Sequence, residues 1–291
     1  MLHSCYDIYP HNHSNELPLL FNLFANDQMD VHNQRKSECE ARVFNYHAGI
    51  TDAPGNYSEV CWSYGTELLL PPDLFAQNWP LVEKLHLHAY KWPVIGMELN
   101  IHHQLAHLTH ICLSGPLYEF SLEPDWLALL PSTLECFILQ IHVEPDKLRS
   151  FATQLGRFGA LRILTLSTQQ WFSEEMSELL QVLPTLPHMK YLTMPTVSST
   201  LQKRSSYHVA FAECLSHCFA LQRLALSWGS MEGLPEVFRE VSQLQAMAIR
   251  FLHWAPDVKS DVEAHPNLGR CRLVLPNGKF QDCSNPNAMK R

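Results

Sequence analysis

The sequence predicts an α/β solenoid, a right-handed coil of about eight strand–helix repeats whose strands form one parallel sheet lining a horseshoe, with helices outside. Three observations predict it. A six-residue pattern, apolar-x-x-apolar-x-apolar, returns along most of the chain. The end of each unit alternates apolar and polar residues, the period-2 signature of a half-buried strand. The segments between units carry helix-start signals.

The units read Val82, Leu85, Leu87; Leu108, Ile111, Leu113; Leu134, Phe137, Leu139; Leu161, Leu164, Leu166; Met189, Leu192, Met194; Leu221, Leu224, Leu226; Leu244, Met247, Ile249; and Leu268, Cys271, Leu273. Their first positions are spaced by 26, 26, 27, 28, 32, 23 and 24 residues. Chance supplies one or two such hits in a Leu-rich chain, not a run in phase. Between units, Pro72-Asp73, Pro124-Asp125, Pro145-Asp146, Pro235-Glu236 and Pro256-Asp257 mark helix starts. Proline loses nothing in a first helical turn, and a neighbouring acid suits the positive helix end. After Pro145, residues Leu148, Phe151, Leu155 and Phe158 fall at helical spacing. Ser173, followed by Glu-Glu-Met, is a fitting N-cap for another helix.

The ends depart from the array. Residues 1–36 form a polar, flexible or weakly helical segment rich in His and Asn. Residues 37–65 hold two strand-like runs, Ala41–Tyr46 and Ser58–Ser63, joined through the turn signal Asp52-Ala-Pro-Gly55; they read as a β-hairpin capping the first repeat. The repeats occupy residues 66–280, and residues 281–291 read as a disordered tail.

The pattern and spacing resemble the leucine-rich-repeat superfamily over roughly residues 66–280, closer to its ribonuclease-inhibitor and F-box-associated branch, as in fungal F-box-like proteins. The superfamily places Asn or Cys three positions after the third apolar residue. Here those positions hold Tyr90, Pro116, His142, Gln169, Val197, Gly229, Leu252 and Pro276, so irregular turns without an asparagine ladder are expected. Leu17-Pro18 resembles the opening of an F-box. The resemblance implies a protein-binding scaffold, with recruitment of a ubiquitin-ligase adaptor as an extension.

Residues flanking the second and third apolar positions are expected on the concave face. One row is Lys84, His110, Cys136, Ile163, Tyr191, Arg223, Ala246, Arg270; the next is His86, Cys112, Ile138, Thr165, Thr193, Ala225, Ala248, Arg272. A third runs His88, Ser114, Gln140, Ser167, Pro195, Ser227, Arg250, Val274. The expected partner-binding residues are Arg223, Arg250, Arg270 and Arg272, whose guanidinium forks match a carboxylate or phosphate, together with Tyr191, Ile138 and Ile163. A solvated end paired with acids such as Glu232 or Glu236 is the plainer alternative for the arginines. His86, His110, Cys112 and Cys136 offer zinc-type ligands, but one or two per repeat make no compact spacing, and surface histidines with incidental thiols are the expectation. Trp92, Trp171 and Trp254, with Tyr118, recur near one repeat position and suit packing beneath the turns, or rim anchors. Cys214 and Cys218 lie one helical turn apart and read as core.

The net charge of −8 argues against a general nucleic-acid binder, which needs clustered cations. Nine cysteines without a CxxC pair, no signal-peptide pattern and no long apolar run lead to the expectation of a reducing cytoplasmic or nuclear setting, free of membrane. No GxSxG, Walker or GxGxxG motif is present, and no cofactor is expected. The function read here is a non-enzymatic interaction scaffold. The alternatives are a signalling or effector protein without a ligase role and, from another class, a metal-dependent hydrolase using the His/Cys patch.

Overall fold

A computed structural model describes residues 43–46, 59–64, 83–89, 106–114, 127–128, 130–140, 143–166, 171–172, 176–198, 204–228, 234–251, 258–275, 277, 279–285 and 288. All lie within a compact unit spanning 41–291. The fold is α/β, built on one mostly parallel sheet.

The strands among the described residues are β1 (Val43–Tyr46), β2 (Glu59–Tyr64), β3 (Lys84–Ala89), β4 (His110–Ser114), β5 (Cys136–Gln140), β6 (Ile163–Leu166), β7 (Trp171–Phe172), β8 (Tyr191–Ser198), β9 (Arg223–Trp228), β10 (Ala246–Phe251), β11 (Arg270–Val274) and β12 (Phe280–Ser284). They hydrogen-bond in chain order, except that β7 sits beside β8 and off the main path. Every pair is parallel until β12, which returns antiparallel on β11. Between strands lie α1 (Leu148–Leu155), α2 (Met176–Val182), α3 (Arg204–Ser216), α4 (Leu234–Glu240) and α5 (Lys259–Ala264). The Pro145 signal opens a short 3-10 turn, Pro145–Lys147, that leads into α1. The longest spacing, after Met189, accommodates the 13-residue α3.

The repeated apolar positions make the core. From Leu108 to Leu273 all three positions of each unit are buried and belong to one cluster. The helices add Leu148, Phe151, Leu155, Leu179, Phe211, Leu215, Val237 and Val262 to the same cluster, so it lies between the sheet and the helices. Phe137 of β5 packs its ring against both Phe151 and Phe158. Each buried Leu or Phe stabilises by about 1.5–3 kcal/mol. Successive helices touch one another, and Arg149 of α1 donates to Glu178 of α2 at 2.6 Å.

Backbone groups link the entries of successive strands. The carbonyl of Glu83 accepts from both Thr109 and His110 N–H. The Thr109 carbonyl accepts from Glu135 and Cys136, Glu135 from Arg162 and Ile163, Arg162 from Lys190 and Tyr191, Lys190 from Gln222 and Arg223, and Gln222 from Gln245 and Ala246. One oxygen thus ties each strand entry to the next. Just before it, the N–H of Leu134, Leu161, Met189, Leu221 and Leu244 bonds the carbonyl three residues back. At Leu268 the donor meets Nδ1 of His265 instead, at 2.9 Å.

Two expectations at the ends are corrected. β1 and β2 do not form a hairpin; they pair parallel, with Val43 opposite Glu59 and Asn45 opposite Cys61. Residues 47–58 between them are as long as a parallel crossover needs, whereas a hairpin turn uses a few residues. The tail beyond 280 does not begin disordered either, because Phe280–Ser284 forms β12. Its turn is set by Asn277, whose Oδ1 accepts from Lys279 N–H at 3.0 Å, while Leu275 N–H donates to the Lys279 carbonyl at 2.9 Å. Only Cys283 of this strand is buried, so it shows none of the alternation by which strands are recognised.

Candidate functional site

The rows expected from the sequence line up in register. Lys84, His110, Cys136, Ile163, Tyr191, Arg223, Ala246 and Arg270 are successive cross-strand partners. His86, Cys112, Ile138, Thr165, Thr193, Ala225, Ala248 and Arg272 are likewise. Parallel pairing of β2 with β3 extends these rows by Glu59 and Cys61. In the third row, Ser227, Arg250 and Val274 are partners, while Ser167 lies outside the described residues.

The face these rows share is not uniformly open. Its middle is closed: Ala225 and Ala248 are 0 % exposed, Thr165 is 3 % and Ile138 is 8 %. Ile138, expected as a contact residue, is buried. Ile163 and Tyr191 are half-buried. Tyr191 and Arg223 stand on the same face, one position before Thr193 and Ala225 in the alternation of their strands.

The four arginines divide by what they already touch. Arg272 Nε donates to Asp282 Oδ1 at 2.6 Å and its Nη2 to Oδ2 at 3.2 Å, a bidentate pair that raises the guanidinium above its ordinary pKa. The partner acid is Asp282 of β12, not Glu232 or Glu236. Arg272 is thus part of the seam between β11 and β12. Arg223 lies over the Tyr191 ring, 5.1 Å from its centroid, in a cation–π arrangement. Arg250 is half-buried, and loss of water lowers its pKa. Arg270 is exposed. Arg223, Arg250 and Arg270 sit on β9, β10 and β11; half-buried Ala246 lies between Arg223 and Arg270, while Ser227, opposite Arg250, and Ala248 are buried.

The His/Cys patch at the other end carries different chemistry. Burial first, then neighbouring Cys112, pushes the Cys136 thiol up to about 12, so it holds no thiolate at neutral pH. Thr109 Oγ1 donates to the Glu83 carbonyl at 3.1 Å and stands 2.7 Å from His110 Nδ1. Among the described residues, no group of three or more His, Cys, Asp or Glu is arranged to hold a metal ion. Cys214 and Cys218 are buried; the Cys214 thiol donates to the Leu180 carbonyl and that of Cys218 to the Cys214 carbonyl. Contact with Cys218, then burial, keeps Cys214 protonated. Trp171 lies in β7, paired with Val197, whereas Trp92, Trp254, Tyr118 and Leu17-Pro18 lie outside the described residues.

Sequence reasoning missed Asp282, His265 and Asn285. Nδ1 of His265 accepts from the N–H of Asn267 and Leu268, so Nε2 carries the proton and donates to the Val241 carbonyl at 3.1 Å. Asn285 Nδ2 reaches the carbonyls of His265, Glu263 and Val262 at 2.9, 3.2 and 3.4 Å, closing the C-terminus of α5. Asn277-Gly278, a strong two-residue turn signal, pointed to this end of the sheet.

Among the described residues, no helix is long and apolar enough to cross a membrane. Compared with models of known protein families and with curated protein sequences, the chain matches none.

Proposed function

We propose that this chain is a right-handed leucine-rich-repeat solenoid of about eight repeats that binds another protein through the C-terminal end of its concave sheet face. The shared-carbonyl ladder and the buried positions of each unit support the repeat reading. The binding reading is non-enzymatic and rests on one observation: Arg223, Arg250 and Arg270 stand on adjacent strands around small residues, in a chain of net charge −8. Guanidinium groups gathered on neighbouring strands suit a partner's carboxylates, and Tyr191 supplies an aromatic anchor held by Arg223. Arg272 supports this end structurally.

The test is affinity capture from cells, comparing wild type with Arg270→Glu and with Arg272→Ala. Specific proteins held by wild type and by Arg272→Ala, and lost with Arg270→Glu, support the proposal. The same proteins on all three contradict it. The ligase version rests on the F-box resemblance at Leu17-Pro18 alone; a ubiquitin-ligase adaptor among the captured proteins, lost on deleting residues 1–36, selects it.

A further inference from the structure

The terminal seam contains two thiols placed directly opposite one another. Cys271 of β11 and Cys283 of β12 are antiparallel partners, both are buried, and neither is in a disulfide. Direct antiparallel partners project to the same side of a sheet, here the side where Cys271 occupies a core position of the repeat. The flanking bonds fix the phase of the ladder. Leu275 N–H donates to Lys279 O and Asn285 N–H to Gly269 O, so Cys271 and Cys283 fall at a hydrogen-bonded pair. Such pairs have Cα atoms about 5.5 Å apart, inside the range of about 4.4–6.8 Å that a disulfide spans. Their Cβ atoms, also about 5.5 Å apart, must close to about 4.5 Å, so the bond forms strained and is readily reduced.

We infer that Cys271 and Cys283 form an oxidative modification site, a reversible disulfide that staples β12 to the end of the sheet. A small-molecule disulfide such as oxidised glutathione is the oxidant. One cysteine thiolate attacks it, forming a mixed disulfide and releasing one glutathione thiol. The second cysteine attacks the protein sulfur, forming the Cys271–Cys283 bond and releasing the second glutathione. Two protein thiols are oxidised and one glutathione disulfide is reduced. Burial, then the neighbouring Cys283, keeps Cys271 protonated in the closed seam. Oxidation therefore waits on local opening of β12, a terminal strand with one hydrogen-bonded neighbour. Closing the bond then suppresses that opening.

The seam is tested on the full chain incubated with oxidised glutathione, alkylated, unfolded and digested with trypsin. Cleavage after Arg270, Arg272 and Lys279 puts the two cysteines on separate peptides. The expected result is a Cys271–Cys283 cross-linked peptide that dithiothreitol removes. It should be absent in Cys283→Ala, and oxidation should slow proteolysis after Lys279 at least several-fold in wild type only. Recovery of both cysteines as alkylated thiols or as glutathione adducts, with no cross-link, overturns the inference. So does a cross-link that leaves proteolysis unchanged.

Discussion

The middle of the sheet and its C-terminal end are held by different means. Around β6 and β8 to β10, apolar residues face the helices and short side chains are closed to water on the opposite face, while backbone carbonyls link each strand entry to the next. At β11 and β12 the work passes to polar side chains: Arg272 on Asp282, His265 between Val241 and Leu268, and Asn285 on the end of α5. The difference follows from what each place lacks. A middle repeat has neighbours on both sides to satisfy its backbone and cover its apolar flank. A last repeat has one, and its orphan carbonyls and open edge need substitutes.

Placing a charge in the middle of the sheet has the largest expected effect. Leu164→Asp should abolish the folded state, because an unpaired carboxylate at a fully buried site costs several kcal/mol, comparable with the stability of a domain. Circular dichroism and urea titration check this; a soluble variant that unfolds cooperatively near the wild-type midpoint would refute the packing described for β6. Asn285→Ala should cost about 1–3 kcal/mol, since it removes the buried donor shared by the carbonyls of Val262, Glu263 and His265. A lower urea midpoint measures that loss, and cleavage near the C-terminus should precede cleavage in the middle.

Acid acts on the same end. Burial holds His265 below its usual 6.5, with the Val241 bond opposing in part. The unfolded chain therefore binds this proton more readily than the folded one. The contribution is fully present above pH 6.5 and is lost as pH falls below it towards the lowered folded value. His265→Gln should flatten that segment of the stability–pH curve, and an unchanged curve would show that other groups set it. Smallest of all, Asp282→Asn should cost about 0.2–1 kcal/mol, because the Arg272 pair is partly solvated, and high salt should shrink the effect.

Much of the middle was legible in the sequence. Leu164, Leu192 and Leu224 repeat with a spacing that only register explains, and the strands they lie on pair as that spacing requires. The ends were less legible because polar caps leave no period. Phe280–Ser284 has one inward residue, and Asn285 and His265 act through single hydrogen bonds to distant carbonyls, which spacing cannot reveal. Parallel β1 and β2 were hidden for another reason: a turn signal at Asp52-Ala-Pro-Gly55 marks a bend, not the direction in which the chain continues. Of the expected contact residues, the register of the arginines on neighbouring strands was legible in the spacing, but the commitment of Arg272 to Asp282 and the burial of Ile138 depend on neighbours far along the chain.

The binding face is tested most directly by backbone hydrogen exchange on the chain alone and with a captured partner protein. Added protection is expected on peptides covering Tyr191–Trp228, Ala246–Phe251 and Arg270–Val274, with exchange at least several-fold slower and β4 to β6 unchanged. Protection confined to β4–β6 or to α1–α5, with the arginine strands exchanging as before, would contradict it.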